Sequence, residues 1–282
     1  MMYCGCVSTD KLFMPPGHYY SPLPGDQDFA RWRRWRAQPL PDDLPGIPID
    51  RERLRSTLEA IVDEYHRLPL FPAERGSGHR FFYNNPEIAY QDAVTLRHFL
   101  LASKPRRVIE VGCGHSSCCM LDVADTFNLG VNFTFIDPNP ERLLEHIWQD
   151  DQRRCRIITS PLQDVSVNEF TALEAGDILY LDSTHVTKLQ SDVNWYLFEI
   201  LPRLKTGVIV HIHDINYPFE WSENMIERGW NEPYILRAFL MFNPHYKIIG
   251  WNPYFSLKMT DLVLRMPLCV EFPGGAFWMM RV

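Results

Sequence analysis

The sequence has no apolar run near the roughly 20 residues that a membrane-spanning helix requires. Its N-terminus lacks the charged-then-apolar layout of a secretory signal, so a soluble, cytoplasmic protein with no membrane partner is expected. Paired C-x-x-C groups are absent as well. The seven cysteines, Cys4, Cys6, Cys113, Cys118, Cys119, Cys155 and Cys269, are odd in number and lack zinc-site spacing, which predicts free thiols in a reducing compartment. Basic charge is scarce: 28 Lys and Arg face 35 Asp and Glu, a formal charge of -7. That balance argues against a general nucleic-acid binder, which needs a clustered cationic surface to displace counterions from phosphates. A small-molecule partner is expected instead, with a homo-oligomer left open.

What is present is an ordinary globular composition, 46% hydrophobic and 22% charged over 282 residues. This suffices for one large domain or for one domain with an extension. Residues 1–48 are rich in Pro, Gly, Tyr and Trp, with one dense feature, Arg31-Trp-Arg-Arg-Trp-Arg36. That run reads as a solvated helix face whose tryptophans dock on the main domain. From Asp50 onward, Leu54, Leu58, Ile61, Val62 and Tyr65 recur at helical spacing until Pro69 and Pro72. A second amphipathic helix is expected over residues 88–102, and Pro105 then punctuates the chain. Beyond it, short apolar runs alternate with helical stretches, the mark of βαβ units and a mainly parallel sheet. Strands are expected at 107–111, 132–136, 156–159, 178–181, 208–212, 246–250 and 277–282. The turn Pro273-Gly-Gly275 makes the last strand a hairpin partner of the one before it.

Chemistry concentrates at the strand ends, where open parallel sheets hold their ligands. Val108-Ile-Glu-Val111 runs into Gly112-Cys-Gly114-His115-Ser116-Ser117 and a helix start. A tight glycine turn at a helix N-terminus lets a ligand approach the backbone. Glu110 stands where the interior of a parallel strand normally carries Val or Ile. The second strand ends in Asp137, a carboxylate able to accept both hydrogen bonds of a ribose diol or simply to cap the next helix. After the third strand, Ser160-Pro-Leu-Gln-Asp164 forms a polar loop, with Ser160 and Asp164 as competing ligand contacts. The fourth strand ends at Asp182, followed by His185. The fifth ends His211-Ile-His213-Asp214, with both histidines on one face of the strand.

In this order the chain resembles the class I S-adenosylmethionine-dependent methyltransferases, in particular their small-molecule O-methyltransferase-like branch of the catechol and macrolide-sugar type. The resemblance covers about residues 100–282, most specifically 106–216. It implies an α/β fold: a Rossmann-like, seven-stranded, mainly parallel sheet with helices on both faces, a final antiparallel strand and an N-terminal helical extension. Residues 104–282 would be the methyltransferase domain, and residues 1–103 an extension with a helical lid or substrate region. The implied cofactor is S-adenosylmethionine, held by Glu110, Gly112, Gly114, His115, Ser116, Asp137, Asp164 and Asp182. In that set the glycine turn wraps the methionine portion, Asp137 takes the ribose and Asp164 the adenine amino group. Asp182, His185, His213 and Asp214 are the implied catalytic residues.

Catechol-type relatives bind a divalent ion through carboxylates matching Asp182 and Asp214, so Asp182, His213 and Asp214 are candidate metal ligands. A metal-free route stays open, with His185 or His213 as a general base whose pKa lies near 6.5. The expected function is methylation of a small molecule, chiefly at oxygen. The alternatives are a metal-dependent hydrolase or oxygenase built on the Asp/His cluster, or a non-catalytic nucleotide-binding protein. Acceptor recognition is expected from residues 79–85 and 216–221, from a helix near residues 230–239 and from the N-terminal Trp cluster, with Tyr83, Tyr217, Phe219 and Trp221 serving either as an apolar lid or as core aromatics.

Overall fold

The computed structural model describes residues 12–76 and 78–282; the expected free thiols Cys4 and Cys6 lie outside the described residues. The first half runs α1 (Asp26–Arg36), α2 (Arg51–Arg67), α3 (Tyr90–Ser103), β1 (Arg107–Val111), α4 (His115–Thr126), β2 (Asn132–Ile136), α5 (Glu141–His146), α6 (Asp151–Arg154) and β3 (Arg156–Ile158). It continues α7 (Val167–Thr171), β4 (Ile178–Leu181), α8 (Asp192–Trp195), β5 (Ile209–Ile212), α9 (Glu223–Glu227), α10 (Glu232–Leu240), β6 (Tyr246–Trp251), α11 (Asn252–Lys258), α12 (Thr260–Val263), α13 (Pro267–Glu271) and β7 (Phe277–Arg281). The seven strands form one sheet in the order β3-β2-β1-β4-β5-β7-β6. The first five pair in parallel, while β7 runs antiparallel to both β5 and β6.

All seven expected strands are present, each end within one residue of its expected position. The expected antiparallel pairing of the last strand with the one before it is present as well, β7 against β6, but the connection is not a tight hairpin: α11, α12 and α13 separate the two strands in the chain, and β7 enters the sheet between β5 and β6. The turn Pro273-Gly-Gly275 feeds β7 at the end of that long connection.

Strand alternation divides the core between the two faces of the sheet. Ile109, Val111, Leu179, Leu181, Val210 and Ile212 join the core cluster that includes α2, through Leu54, Leu58, Ile61 and Val62. Val108, Ile178 and Tyr180 face α3 and α4. Helix α2 starts where Asp50 accepts a hydrogen bond from the Arg53 amide at 3.0 Å and stops at Leu68, whose following proline disfavours helical backbone. Each buried aliphatic on its face contributes about 1.5–3 kcal/mol, and Leu58→Ala would cost about 2–5 kcal/mol. Helix α3 is buried continuously from Tyr90 to Leu100. It is an interior helix, not an amphipathic one, because α2, α11 and α13 pack around it.

The Arg/Trp run forms α1, which buries no residue completely. Trp32 is half-buried, Trp35 stays exposed, and Arg33 pairs with Glu223. The docking expected of both tryptophans is thus limited to the first. Cys113, Cys118, Cys119, Cys155 and Cys269 are all free and buried.

Candidate functional site

A cleft of about 450 Å³ opens beyond the carboxyl ends of β1, β2, β3 and β4, a volume within the usual range for cofactor sites. Gly112, Asp137, Asp182 and Ser183 line it and also line a smaller compartment of about 200 Å³. That second compartment reaches the α4 N-terminus, Glu87, Tyr180 and His213. Seven of the expected site residues, Gly112, Gly114, His115, Ser116, Asp137, Asp182 and His213, therefore come together on its wall.

Gly112 has φ +79°, and a Cβ there would sit 1.8 Å from the Asp182 carbonyl oxygen. The glycine is thus demanded by the close passage of β1 and β4, with ligand access a secondary benefit. Asp137 accepts from the Cys113 amide at 3.1 Å and the Asn139 amide at 2.7 Å, so the second strand end is tied to the glycine turn. Its carboxylate has lone pairs left for a ligand.

Glu110 lies fully buried beneath the α4 N-terminus, where the hydroxyls of Ser116 and Ser117 donate to it. It does not line either compartment. Burial pushes its carboxyl up to about 8, against the opposing pull of the two serines. Its side chain shapes the turn from behind, so any hold on a cofactor passes through the backbone it orients.

Asp164 is exposed and absent from the cleft wall, whereas Ser160, Pro161, Leu162 and Gln163 all line it. The loop after β3 makes a single 3-10 turn over Leu162–Asp164, and that rotation carries the acid outward.

At the ends of β4 and β5 the carboxylates and imidazoles interlock. His213 is buried, with Nε2 3.7 Å from Asp214 Oδ1. Asp182, Asp214 and Asp92 hold its pKa up at about 9 against the effect of burial. Its charged form is thereby favoured beyond that of a free imidazole, whose pKa lies near 6.5. His211 is stacked on Tyr180 at 3.8 Å and lies 4.6 Å from Trp278. Burial drives it well below the ordinary range. Its Nε2 lies 3.4 Å from His213 Nδ1. Burial raises the Asp182 carboxyl, with His213 and His185 opposing.

His185 is buried with φ +60°. Its Nδ1 is 2.6 Å from Glu232 Oε2, and its Nε2 is 3.6 Å from Asp182 Oδ1. Glu232 also accepts from Tyr196. Its carboxylate raises the His185 pKa in spite of burial. His185 does not line the compartments.

Three acids absent from the expected set now matter. Asp92 of α3 accepts from the Ala276 amide at 2.8 Å and the Gly275 amide at 3.2 Å, which fixes the entry to β7 beside Asp214. Its sequence signal was a carboxylate among the apolar residues of an interior helix. Glu87 puts Oε2 2.7 Å from His115 Nδ1 and Oε1 3.5 Å from Arg142 Nη1. Glu232 carries no local signal, because its partner is 47 residues away.

The stretch 79–85 does less at the site than expected. Arg80 is buried and bonded to Asp122 at 2.7 Å and Asp151 at 2.6 Å, with the Trp148 ring 3.7 Å from its guanidinium carbon. It locks this segment to α4 and α6. Tyr217, Phe219 and Trp221 are each about 1% exposed or less and are core aromatics, not a lid over the cleft. Among the described residues no three His, Cys, Asp or Glu side chains are gathered as a metal would require. A metal at Asp182, His213 and Asp214 thus gains no support, and neither does the hydrolase or oxygenase alternative.

Comparison with known proteins agrees with the cleft. The sequence model of a family described as Methyltransferase domain matches residues 109–215. An uncharacterized protein of Archaeoglobus fulgidus is 30% identical over 174 residues, 60% of this chain and 76% of that protein. Among solved structures, the SAH-bound methyltransferase PaMTH1 of Podospora anserina is 14% identical with a TM-score of 0.46, covering 92% of this chain and 98% of that one. An O-methyltransferase from Bacillus cereus in complex with SAH is 12% identical with a TM-score of 0.42, covering 80% and 91%. The matched stretch begins in β1, ends just past Asp214 and contains the glycine turn and both strand-end carboxylates, Asp137 and Asp182, so residues 109–215 form a methyltransferase domain.

Proposed function

We propose that the chain methylates an oxygen of a small-molecule acceptor, with the nucleoside in the larger compartment and the reacting groups in the smaller. The observation that carries this reading is the shared wall: Gly112, Asp137 and Asp182 border both compartments. Asp137 would hold the ribose diol, and the turn 112–116 with the α4 N-terminus would face the methionine carboxylate. Ser160 and Gln163 take the adenine end in place of Asp164. Residues 104–282 carry most of this cleft, and residues 1–103 add Glu87 and Ile88 to the wall of the smaller compartment.

S-adenosylmethionine supplies an electrophilic sulfonium methyl when bound. The chain's own contribution is alignment and charge. Asp182, a stronger base than an ordinary carboxylate because of its burial, takes the acceptor hydroxyl proton. His213, held charged by its three carboxylates, steadies the negative charge that develops on that oxygen. Asp214 and His211 fix the orientation of His213, and Glu232 fixes that of His185 beside Asp182. No step passes through a metal.

Calorimetry with S-adenosylmethionine and with NAD tests the cofactor, and binding of NAD alone overturns the reading. Transfer of labelled methyl to a panel of phenols, alcohols and amines tests the acceptor atom. Labelling confined to the amines refutes O-methylation.

A further inference from the structure

The methyltransferase domain spans residues 109–215, yet one charged side chain on the wall of the smaller compartment comes from outside it. Glu87 stands in the loop before α3 and lines the compartment together with Arg142, the second residue of α5. Gly114, His115 and Ser116 at the start of α4 lie beside them on the same wall. Asn85 braces the loop that carries Glu87. Its Oδ1 accepts from the Glu87 amide at 3.0 Å and the Ile88 amide at 2.8 Å, and its Nδ2 donates to the Phe82 carbonyl at 2.7 Å.

Arg142 arrives over the glycine turn: its Cδ lies 3.0 Å from where a Gly114 Cβ would stand, and its Nη1 comes 3.5 Å from Glu87 Oε1. A closed charge-assisted hydrogen bond would measure about 2.7–2.9 Å, so the two charges stand side by side without closing on each other. Among the described residues Arg142 forms no other ion pair. The Arg142 and Glu87 side chains are 56% and 30% exposed, and both charges remain open to a ligand. Glu87 Oε2 has a second neighbour, His115 Nδ1, at 2.7 Å. Burial, His146, Arg142 and Arg75 push that imidazole down to about 4, so it adds little positive charge beside Glu87. The other acids on this wall are already engaged. Asp137 accepts from two amides, and Asp182 faces His185.

We propose that Glu87 and Arg142 bind the amino-acid end of S-adenosylmethionine, the Glu87 carboxylate taking its ammonium and the Arg142 guanidinium its carboxylate. Those two charges sit on one carbon of the cofactor, so their receptor needs an anion and a cation a few ångströms apart, as this pair provides. The α4 N-terminus favours the carboxylate but repels the ammonium. A carboxylate is therefore needed close by, and Glu87 supplies it from outside the matched domain. The inference rests on the methyl-transfer reading and gives the segment before α3 a role in holding the cofactor.

Calorimetry on the full chain with three probes separates the two contacts: S-adenosylmethionine, its decarboxylated form, which keeps the ammonium, and 5′-methylthioadenosine, which has neither group. Arg142→Met keeps the stem over Gly114 and removes the charge. It should weaken S-adenosylmethionine about 10- to 100-fold and leave the decarboxylated form no weaker. Glu87→Gln should weaken both ammonium-bearing probes by a similar factor, and 5′-methylthioadenosine should bind wild type and both variants alike. Parallel weakening of all three probes in either variant means a structural role and overturns the proposal. Unchanged S-adenosylmethionine affinity in either variant, with the wild type binding it, overturns the proposal alone. Failure of the wild type to bind S-adenosylmethionine overturns the methyl-transfer reading and this inference with it.

Discussion

Glu110 offers the most quantitative test of how this site is built. Its carboxyl is fully buried, bonded to Ser116 and Ser117, and raised by burial from an ordinary 4.5 to about 8. A group that binds its proton more tightly in the folded state stabilises that state below its unfolded pKa and loses the contribution as pH rises through the folded value. The window is therefore pH 4.5 to 8, with stability falling as pH increases. At about 1.4 kcal/mol per unit, the loss between pH 5 and pH 9 is on the order of 4 kcal/mol. Glu110→Gln keeps the shape and an acceptor for the serine hydroxyls but removes the titration. Urea denaturation of both proteins at pH 5, 7 and 9 should show wild type losing stability relative to the variant as pH rises. Parallel pH dependence in the two proteins would refute the assignment of a neutral, buried carboxyl under the α4 N-terminus.

The turnover profile should fall as pH rises through about 9, where His213 loses the charge that its three carboxylates maintain; a rate that instead climbs through that pH would make His213 the base. Asp137→Ala should weaken S-adenosylmethionine binding by about 1–3 kcal/mol in calorimetry, and unchanged affinity would remove Asp137 from the site. Arg80→Met strands Asp122 and Asp151 without their cation, which should cost about 3–5 kcal/mol in denaturant titration; a loss below 1 kcal/mol would mean that the network is not closed. Gly112→Ala forces the Asp182 carbonyl aside and should reduce cofactor binding at least tenfold, a result checked by the same calorimetry.

Local pattern carried a great deal of this protein. Period-2 and period-3.6 apolar spacing located α2, α3 and all seven strands, because those periods follow from backbone geometry and the need to bury one face. The glycine turn, Asp137 and Asp182 were legible because strand ends in parallel sheets converge at one edge whatever the loops do. The loop after β3 was less legible: one 3-10 turn decided whether Ser160 or Asp164 faces the cleft, and a rotation of that size leaves no periodic trace. The aromatics of 217–221 were equally ambiguous, since core and lid draw on the same residue types.

Charge state was beyond the sequence altogether. His211 and His213 are two residues apart on one strand, yet burial beside Tyr180 and Trp278 leaves the first neutral, and three carboxylates keep the second charged. Two of those carboxylates, Asp182 and Asp214, stand at neighbouring strand ends, while Asp92 arrives from an interior helix more than 100 residues away in the chain. The sequence by itself determined which elements form and which chemical groups reach the sheet's carboxyl edge, because those follow from short-range periodicity and the rules of parallel sheets. Only the tertiary structure decided which groups are desolvated and which carboxylates face each imidazole, because Coulomb energies depend on distances of a few ångströms between residues that no local pattern connects.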